Sequence, residues 1–177
     1  MKNERSQQDI TTALIHLLNE TNYSFITITT ICERALISRK TFYNYFKVKE
    51  DVINYYLHKV INRFMGKCDL QAESFMSIME KIYSGFNDNR PILKSFYNNN
   101  LIRLATSIAV TYLTSLNIFE GIISGPAEEW HKVYLPSLII FNISNIVLIW
   151  IENGFKESPL ELAYITKEYF HSTVAKN

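Results

Sequence analysis

Residues 27–46, with the sequence TITTICERALISRKTFYNYF, form the most informative stretch of this chain. Thr27 stands where a helix over residues 28–35 would begin, and its side-chain oxygen can cap that helix. Ser38 can likewise cap a second short helix over residues 39–46. About three residues separate the two segments, which is the spacing of a helix-turn-helix. The stretch therefore predicts two short helices joined by a tight turn.

The second of these helices is predicted to have one apolar and one polar face. Phe42 and Phe46 are four positions apart, so they fall on the same side of the helix. There they can pack against Ile28 and Ile31 of the first helix. Arg39 lies in the first turn, where it is free at the helix end. The opposite side carries Lys40, Thr41, Tyr43 and Asn44. A helix of this kind fits the major groove of DNA, where such side chains reach base edges.

Positive charge is concentrated around this stretch in a chain that is nearly neutral. The 18 Lys+Arg and 17 Asp+Glu residues give a formal charge of +1, which argues against a uniformly polybasic binder of nucleic acid or membranes. Residues 34–49 hold five basic residues and no acidic one. Charge alone leaves two interpretations of this run open: an ordinary solvated face, or a local phosphate-binding surface.

Nearly every other segment has the periodicity of a helix. With 177 residues, 47% of them hydrophobic and 20% charged, the chain can form one large or two small domains with a sizeable core. No stretch alternates as a strand does. The sequence predicts an all-α fold of about nine helices. It comprises a three-helix helix-turn-helix domain over residues 1–47 and a helical bundle over residues 48–177.

Residues that could carry catalysis or bind a metal are not arranged for it. The four histidines lie far apart, and no Cys/His spacing resembles a zinc site. No nucleophile, base and acid combination is visible. We therefore expect no enzyme activity, no metal and no cofactor. The two cysteines, and the polar residues that follow Met1–Arg5 in place of an export signal, indicate a reducing, cytoplasmic location.

The chain resembles the TetR family of bacterial transcription regulators over about residues 10–55. That family shares a threonine, an apolar pair, Ala-Gly-Val-Ser, then Thr-Phe-Tyr-x-Tyr/His-Phe and Lys-Glu. The matching residues are Thr27, Ile28, Ile31, Ala35, Ser38, Thr41, Phe42, Tyr43, Tyr45, Phe46, Lys49 and Glu50. The resemblance implies a regulator that binds a palindromic double-stranded DNA operator and responds to a small-molecule effector.

The resemblance also implies a role for each residue of the DNA-binding set. The expected phosphate contacts are Thr27, Tyr43, Tyr45 and Lys49. Arg39, Lys40, Thr41 and Asn44 occupy the positions that vary with operator sequence, and Ser38 completes the set. Arg39 is the best candidate for reading guanine, since its fork matches O6 and N7. Lys40 could do the same or hold a phosphate.

Three positions depart from the family pattern. Leu36 stands where the turn glycine is expected, and a left-handed backbone there would cost a residue with a Cβ about 1 kcal/mol. Lys40 replaces the glycine often found before the threonine, which adds a charge to the groove face. Val48 precedes the Lys-Glu pair, where a small polar residue often stands, and cannot cap the next helix. We expect the turn geometry to differ slightly for these reasons.

An aromatic and methionine-rich set in the middle of the chain has two interpretations. It can be bundle core, or it can line an effector pocket between helices. The candidate pocket residues are Phe64, Met65, Met79, Tyr83, Phe86, Phe96, Tyr97 and Tyr112. The long helix that begins at about Lys49 would carry a ligand's effect from this pocket to the DNA-binding residues.

The uncharged run over residues 133–151 can be a membrane span or a helix buried in a bundle or dimer. Its length suits a bilayer, but two asparagines near its middle would be costly in hydrocarbon. We therefore predict a soluble homodimer that pairs through the last two helices, with no membrane partner. The predicted interface residues are Leu138, Phe141, Asn142, Asn145, Ile149 and Tyr169.

The sequence thus favours an effector-controlled, sequence-specific DNA-binding regulator, more often a repressor by family frequency. One alternative is an activator of the same fold that works with a partner protein. Another is a membrane-associated helical protein. Residues 150–155 and 158–162 look like the end of one TetR branch, which has a compact effector domain and includes regulators of dihydroxyacetone utilisation.

Overall fold

The computed structural model describes residues 2–69, 72–116 and 129–174. These ranges contain nine α-helices, one short 3-10 turn and no strand, so the predicted all-α class is confirmed. The first four helices are α1 (Lys2–Glu20), α2 (Ile28–Ala35), α3 (Arg39–Tyr43) and α4 (Lys49–Met65). The others are α5 (Phe75–Asp88), α6 (Arg90–Asn98), α7 (Ile102–Ser115), α8 (Glu129–Glu152) and α9 (Pro159–Val174). The 3-10 turn, Tyr23–Phe25, joins α1 to α2 and is called here the Tyr23 turn.

The N-terminal helices pack around one buried cluster. It holds Ile10 and Leu14 of α1, Ile31 of α2 and Phe42 of α3, all fully buried. The cluster continues past the predicted domain boundary at residue 47, because Val52 and Ile53 of α4 and Phe96 of α6 also belong to it. The head formed by α1–α3 is therefore packed directly onto α4 and α6. The division at residue 47 stays a prediction.

A second cluster holds the C-terminal helices together. It joins Met79 and Tyr83 of α5, Val147 and Trp150 of α8, and Ala163 of α9. Helix α5 packs along α9, α7 lies against both α4 and α8, and α6 contacts α1 and α8. Helix α6 thus touches the head on one side and the C-terminal bundle on the other.

Helix α3 is shorter than predicted and ends at Tyr43 instead of Phe46. The amides of Tyr45 and Phe46 both donate to the carbonyl of Phe42, at 3.0 and 2.9 Å. The first of these bonds closes a tighter turn than an α-helix allows, so the regular helix stops there. Phe46 nevertheless stays buried, as its periodicity with Phe42 predicted.

Candidate nucleic-acid interface

Side-chain caps define the starts of the two short helices that were predicted from residues 27–46. Thr27 Oγ1 accepts a hydrogen bond from the amide of Thr30 at 3.1 Å, and Thr30 Oγ1 accepts one from the amide of Thr27 at 3.0 Å. Ser38 Oγ accepts a hydrogen bond from the amide of Thr41 at 3.0 Å. Both predicted N-caps are present, so α2 and α3 start where the sequence placed them.

The turn between the two helices keeps its left-handed geometry without a glycine. Leu36 has φ 55° and ψ 43°, and the amide of Ile37 donates to the carbonyl of Cys32 at 3.0 Å. This bond is the six-to-one closure that usually ends a helix at a glycine. The leucine side chain is 93% exposed, so no packing offsets its unfavourable backbone. The structure therefore overturns our expectation of an altered turn and places strain at Leu36.

Leu36→Gly is expected to raise the free energy of unfolding by about 0.5–1 kcal/mol. Removing the Cβ relieves about 1–2 kcal/mol of left-handed strain, and the greater freedom of glycine in the unfolded chain offsets part of that gain. Urea unfolding measures the change. Leu36→Ala is the control, because it removes the exposed side chain but keeps the Cβ. Equal stabilisation by both variants would show that the exposed leucine, and not the backbone, is unfavourable.

The outer face of α3 presents polar side chains to solvent. Arg39, Lys40, Tyr43 and Asn44 are exposed, whereas Phe42 is fully buried beneath them. Arg39 lies along Tyr43, with its Nη2 3.5 Å from the phenol oxygen. The structure brings these predicted DNA-binding residues together on one surface.

Thr41 and Tyr45 are less accessible than the rest of the predicted set. Both side chains are half-buried. The Thr41 hydroxyl lies 2.9 Å from Ser38 Oγ, so these two hydroxyls are hydrogen-bonded to each other. Thr41 and Ser38 therefore stabilise the start of α3, and a role in reading bases stays a prediction.

Two of the five basic residues in the run 34–49 are already paired within the protein. The Arg34 guanidinium forms a bidentate ion pair with Glu20 of α1, with one N–O distance of 2.7 Å. The hydrogen bonds from Arg34 lower the pKa of Glu20. Lys49 Nζ donates to two backbone carbonyls of the loop between α1 and α2. Arg39, Lys40 and Lys47 are exposed. The positive surface is thus centred on α3 and the loop that follows it.

The start of α4 has half of a capping box. Val48 has no side-chain acceptor, as noted from the sequence, but Asp51 Oδ2 accepts hydrogen bonds from the amides of Lys47 and Val48 at 2.8 and 3.1 Å. A carboxylate at this position also suits the helix dipole. Asp51 therefore fixes the loop between α3 and α4.

The eight predicted pocket residues are divided among several places. Met79 and Tyr83 are buried in the second cluster, and Tyr83 is hydrogen-bonded to Thr166 Oγ1 at 2.7 Å. Burial raises the pKa of Tyr83 to about 12.

The other predicted pocket residues lie elsewhere. Phe86 and Tyr97 pack against the second cluster, whereas Phe96 belongs to the head cluster. Phe64 and Met65 are half-buried near the end of α4. For Tyr83 and Met79 the core interpretation describes the structure, and their role in ligand binding stays a prediction.

Tyr112 lines an open groove of about 240 Å³ between α4 and α7. Its ring stacks on His58 with centroids 3.8 Å apart, and its hydroxyl donates to Asn62 Oδ1 at 2.8 Å. Burial lowers the pKa of His58. The remaining lining residues are Asn54, Ser107, Ile108, Thr111 and Ser115. Sequence reasoning missed all of these, because their pairing across two helices leaves no local pattern.

The predicted dimer residues lie on exposed faces of α8 and α9. Leu138, Phe141 and Ile149 of α8 and Tyr169 of α9 are each about half exposed. Asn145 is exposed, and Asn142 Nδ2 donates to the carbonyl of Leu138 at 2.7 Å. Further exposed apolar side chains of α8 and α9, which the sequence did not single out, are Tyr134, Leu160, Tyr164 and Ile165.

By length and composition, one described segment could also cross a membrane. Residues Tyr134–Glu152 have a mean hydropathy of 1.8, and only a third of this window is buried inside the protomer. Four of its buried residues belong to the second cluster: Ile143, Val147, Trp150 and Ile151. The segment is therefore a core helix on one side and an apolar surface on the other.

The fold is shared with solved transcriptional regulators. No family model and no curated protein sequence matches the chain. A TetR-family regulator from Syntrophomonas wolfei, described as putative, aligns with 100% of this chain and 97% of its own, at 18% identity and a TM-score of 0.67. The dihydroxyacetone kinase operon activator DhaS aligns over 96% of both chains, at 16% identity and a TM-score of 0.59.

A third similar structure contains a ligand. The regulator FadR from Bacillus subtilis, solved in complex with stearoyl-CoA, aligns with 91% of this chain and 95% of its own, at 18% identity and a TM-score of 0.55. All three alignments extend over nearly the whole chain, so they include the helix-turn-helix as well as the helices behind it. The chain therefore has the fold of the TetR-family transcriptional regulators.

Proposed function

We propose that this chain is a TetR-family member that binds DNA sequence-specifically and regulates transcription, as a repressor released by a small-molecule effector. The observation that carries the proposal is the outer face of α3. Three exposed polar residues of this short, capped helix, and Asn44 directly after it, lie opposite the buried Phe42. A major groove accepts such a helix and offers its base edges to those side chains.

The contacts divide into those that read sequence and those that bind phosphate. Arg39, at the start of α3, reads guanine through two parallel hydrogen bonds, and Lys40 and Asn44 lie on the same exposed face. Thr27 and Tyr43 bind phosphates, which position the head but carry no sequence information. The exposed positive charge of Arg39, Lys40 and Lys47 supplies the salt-dependent part of the affinity.

A homodimer on a palindromic operator follows from the uncovered apolar face of α8 and α9. Two copies related by a two-fold axis would cover this face with a four-helix contact. The same axis would present two copies of α3 to successive major grooves, which repeat about every 34–36 Å. This arrangement explains an apolar helix that is only one-third buried without invoking a membrane. A cytoplasmic location is part of the proposal, and cell fractionation without detergent tests it against membrane association.

Effector control is supported by the path of α4. This helix begins against the head, where Val52 and Ile53 are buried, and its middle lines the groove with Asn54 and His58. A ligand seated against α4 can therefore change the angle between head and bundle. A preference of about 1.4 kcal/mol for one angle changes operator affinity tenfold. FadR is a protein of this fold with a bound acyl-CoA, which makes an organic ligand a reasonable expectation.

An activator is the second candidate, because DhaS, which has this fold, is described as an operon activator. An activator and a repressor of this fold would use the same α3 surface and differ in where the operator lies relative to the promoter. A reporter gene placed behind the selected operator separates the two. Expression that rises when the protein is produced indicates activation, and expression that falls indicates repression.

Selection of bound fragments from random duplex DNA tests the DNA-binding proposal. The wild-type protein is expected to enrich one palindromic sequence. Arg39→Ala is expected to lose about 1–3 kcal/mol of affinity for that sequence and to relax the preference at one base pair per half-site. Lys47→Ala is the charge-matched control, since it removes an exposed positive charge outside α3. An equal loss on specific and random DNA for Arg39→Ala would contradict the base-reading role.

A further inference from the structure

Lys49 lies at the start of α4, but its ammonium group faces the loop between α1 and α2. Nζ donates to the carbonyl of Tyr23 at 2.7 Å and to that of Ile26 at 2.8 Å. It also sits 4.0 Å from the centre of the Tyr23 ring. Ile26 directly precedes Thr27, the cap of α2, so Lys49 fixes the backbone that places this cap.

The same loop is held from two other directions. The Tyr23 hydroxyl donates to Glu50 Oε1 at 2.7 Å, and the Tyr23 amide donates to Asn99 Oδ1 at 2.6 Å. Asn99, at the end of α6, also donates through Nδ2 to the carbonyls of Leu18 and Ser95, at 3.1 and 2.8 Å. Tyr23, Lys49, Glu50 and Asn99, called here the Tyr23 clamp, therefore connect α6 and α4 to the start of α2.

The bonds that Lys49 makes compete with phosphate binding. The side chain is half-buried, and two of its three ammonium hydrogens are donated to carbonyls. To reach a phosphate with these hydrogens, Lys49 would have to leave both carbonyls without their charged donor. Hydrogen bonds from a charged donor are stronger than neutral ones, so the loss of both would offset much of what a phosphate contact contributes.

We propose that Lys49 is a positioning residue and not a phosphate contact. It orients the start of α2 through the two carbonyls, and the Tyr23 clamp sets the angle of the head on α6 through Asn99. This inference rests on the proposed DNA-binding function. It replaces the role that family resemblance suggested for Lys49, and it gives Asn99, a residue of the bundle, an influence on operator affinity.

The salt dependence of operator binding separates the two roles of Lys49. A lysine bound to phosphate releases counterions. Removing it therefore reduces the steepness with which log K falls against log salt, called here the salt slope, by about 0.9 per subunit. Lys49→Met, measured on the full-length protein and its selected operator, is expected to weaken binding about tenfold with an unchanged slope. Lys40→Met is the comparison variant, because its exposed ammonium faces the DNA side and its removal is expected to lower the slope.

Asn99 provides a second variant that does not alter charge. Asn99→Ala is expected to weaken operator binding several-fold, also with an unchanged slope, because it releases the Tyr23 turn from α6. Asn98→Ala is the matched control, since Asn98 is an exposed neighbour outside the Tyr23 clamp. Lys49→Met and Asn99→Ala act on the same turn, so their combined effect is expected to be less than additive.

The outcomes distinguish this inference from the proposed function. A lower salt slope for Lys49→Met would show a phosphate contact and overturn the inference, although DNA binding itself would stand. Unchanged operator affinity in Asn99→Ala, with the variant folded by circular dichroism, would also overturn it. Failure of the wild-type protein to bind any duplex DNA would overturn the proposed function. Weaker binding at constant slope in both variants, with Asn98→Ala unaffected, supports the positioning role.

Discussion

The double substitution Phe141→Glu and Ile149→Glu is expected to convert a dimer into a monomer and to weaken operator binding about 10²–10⁴-fold. The two side chains are 50% and 47% exposed on the same helix. In a two-fold interface each substitution occurs twice, so four carboxylates would be buried without partners. A monomer binds half-sites independently and loses the effective concentration that a dimer provides. Light scattering measures the mass, and titration of the selected operator measures the affinity.

Val60→Glu is the control for this experiment. Val60 is an apolar side chain of α4 with 42% exposure, so a glutamate there adds negative charge at a similarly exposed site away from α8 and α9. The control is expected to keep the mass and operator affinity of the wild-type protein. A wild-type protein that is monomeric at micromolar concentration would contradict the proposed interface. A double variant that remains dimeric would place the contact elsewhere.

The head could be predicted from the sequence because its determinants are local. Thr27 and Ser38 cap helices within three residues of themselves, and Phe42 and Phe46 share a face because they are four positions apart. The main local error was the end of α3. There the carbonyl of Phe42 accepts two amides, a detail of turn geometry that side-chain periodicity does not contain.

The surroundings of Lys49 and Tyr83 could not be predicted, because they are made by distant parts of the chain. The partners of Lys49 are backbone carbonyls 23 and 26 positions away, and every residue type supplies such an acceptor. Tyr83 meets Thr166 across 83 positions. An aromatic-rich segment has the same composition whether its hydroxyls face a ligand or a neighbouring helix. For this reason the sequence left pocket and core open, and tertiary packing placed Tyr83 in the core.

Phe42 and Tyr43 of α3 are neighbours in sequence but differ in burial and in role. Phe42 is fully buried, and its ring lies 5.8 Å from that of Phe46, which in turn lies 5.7 Å from Tyr55 of α4. This row of rings joins α3 to α4. Tyr43 is 49% exposed and touches Phe42 only edge-on. One ring therefore holds the head together while the next faces outward.

Phe42→Ala is accordingly expected to lower the free energy of unfolding by about 3–5 kcal/mol, because it leaves a ring-sized cavity in the head. Tyr43→Ala is expected to change that free energy by less than about 0.5 kcal/mol, as exposed substitutions do. It should instead weaken binding to operator and to random duplex DNA alike, with a nearly unchanged salt slope, because a neutral hydroxyl binds a phosphate without neutralising it. Urea unfolding followed by circular dichroism measures the first effect, and titration of operator and random duplex DNA at several salt concentrations measures the second. Equal loss of stability in the two variants would mean that both rings belong to the core. In that case the outward surface that we propose for sequence recognition would be limited to Arg39, Lys40 and Asn44.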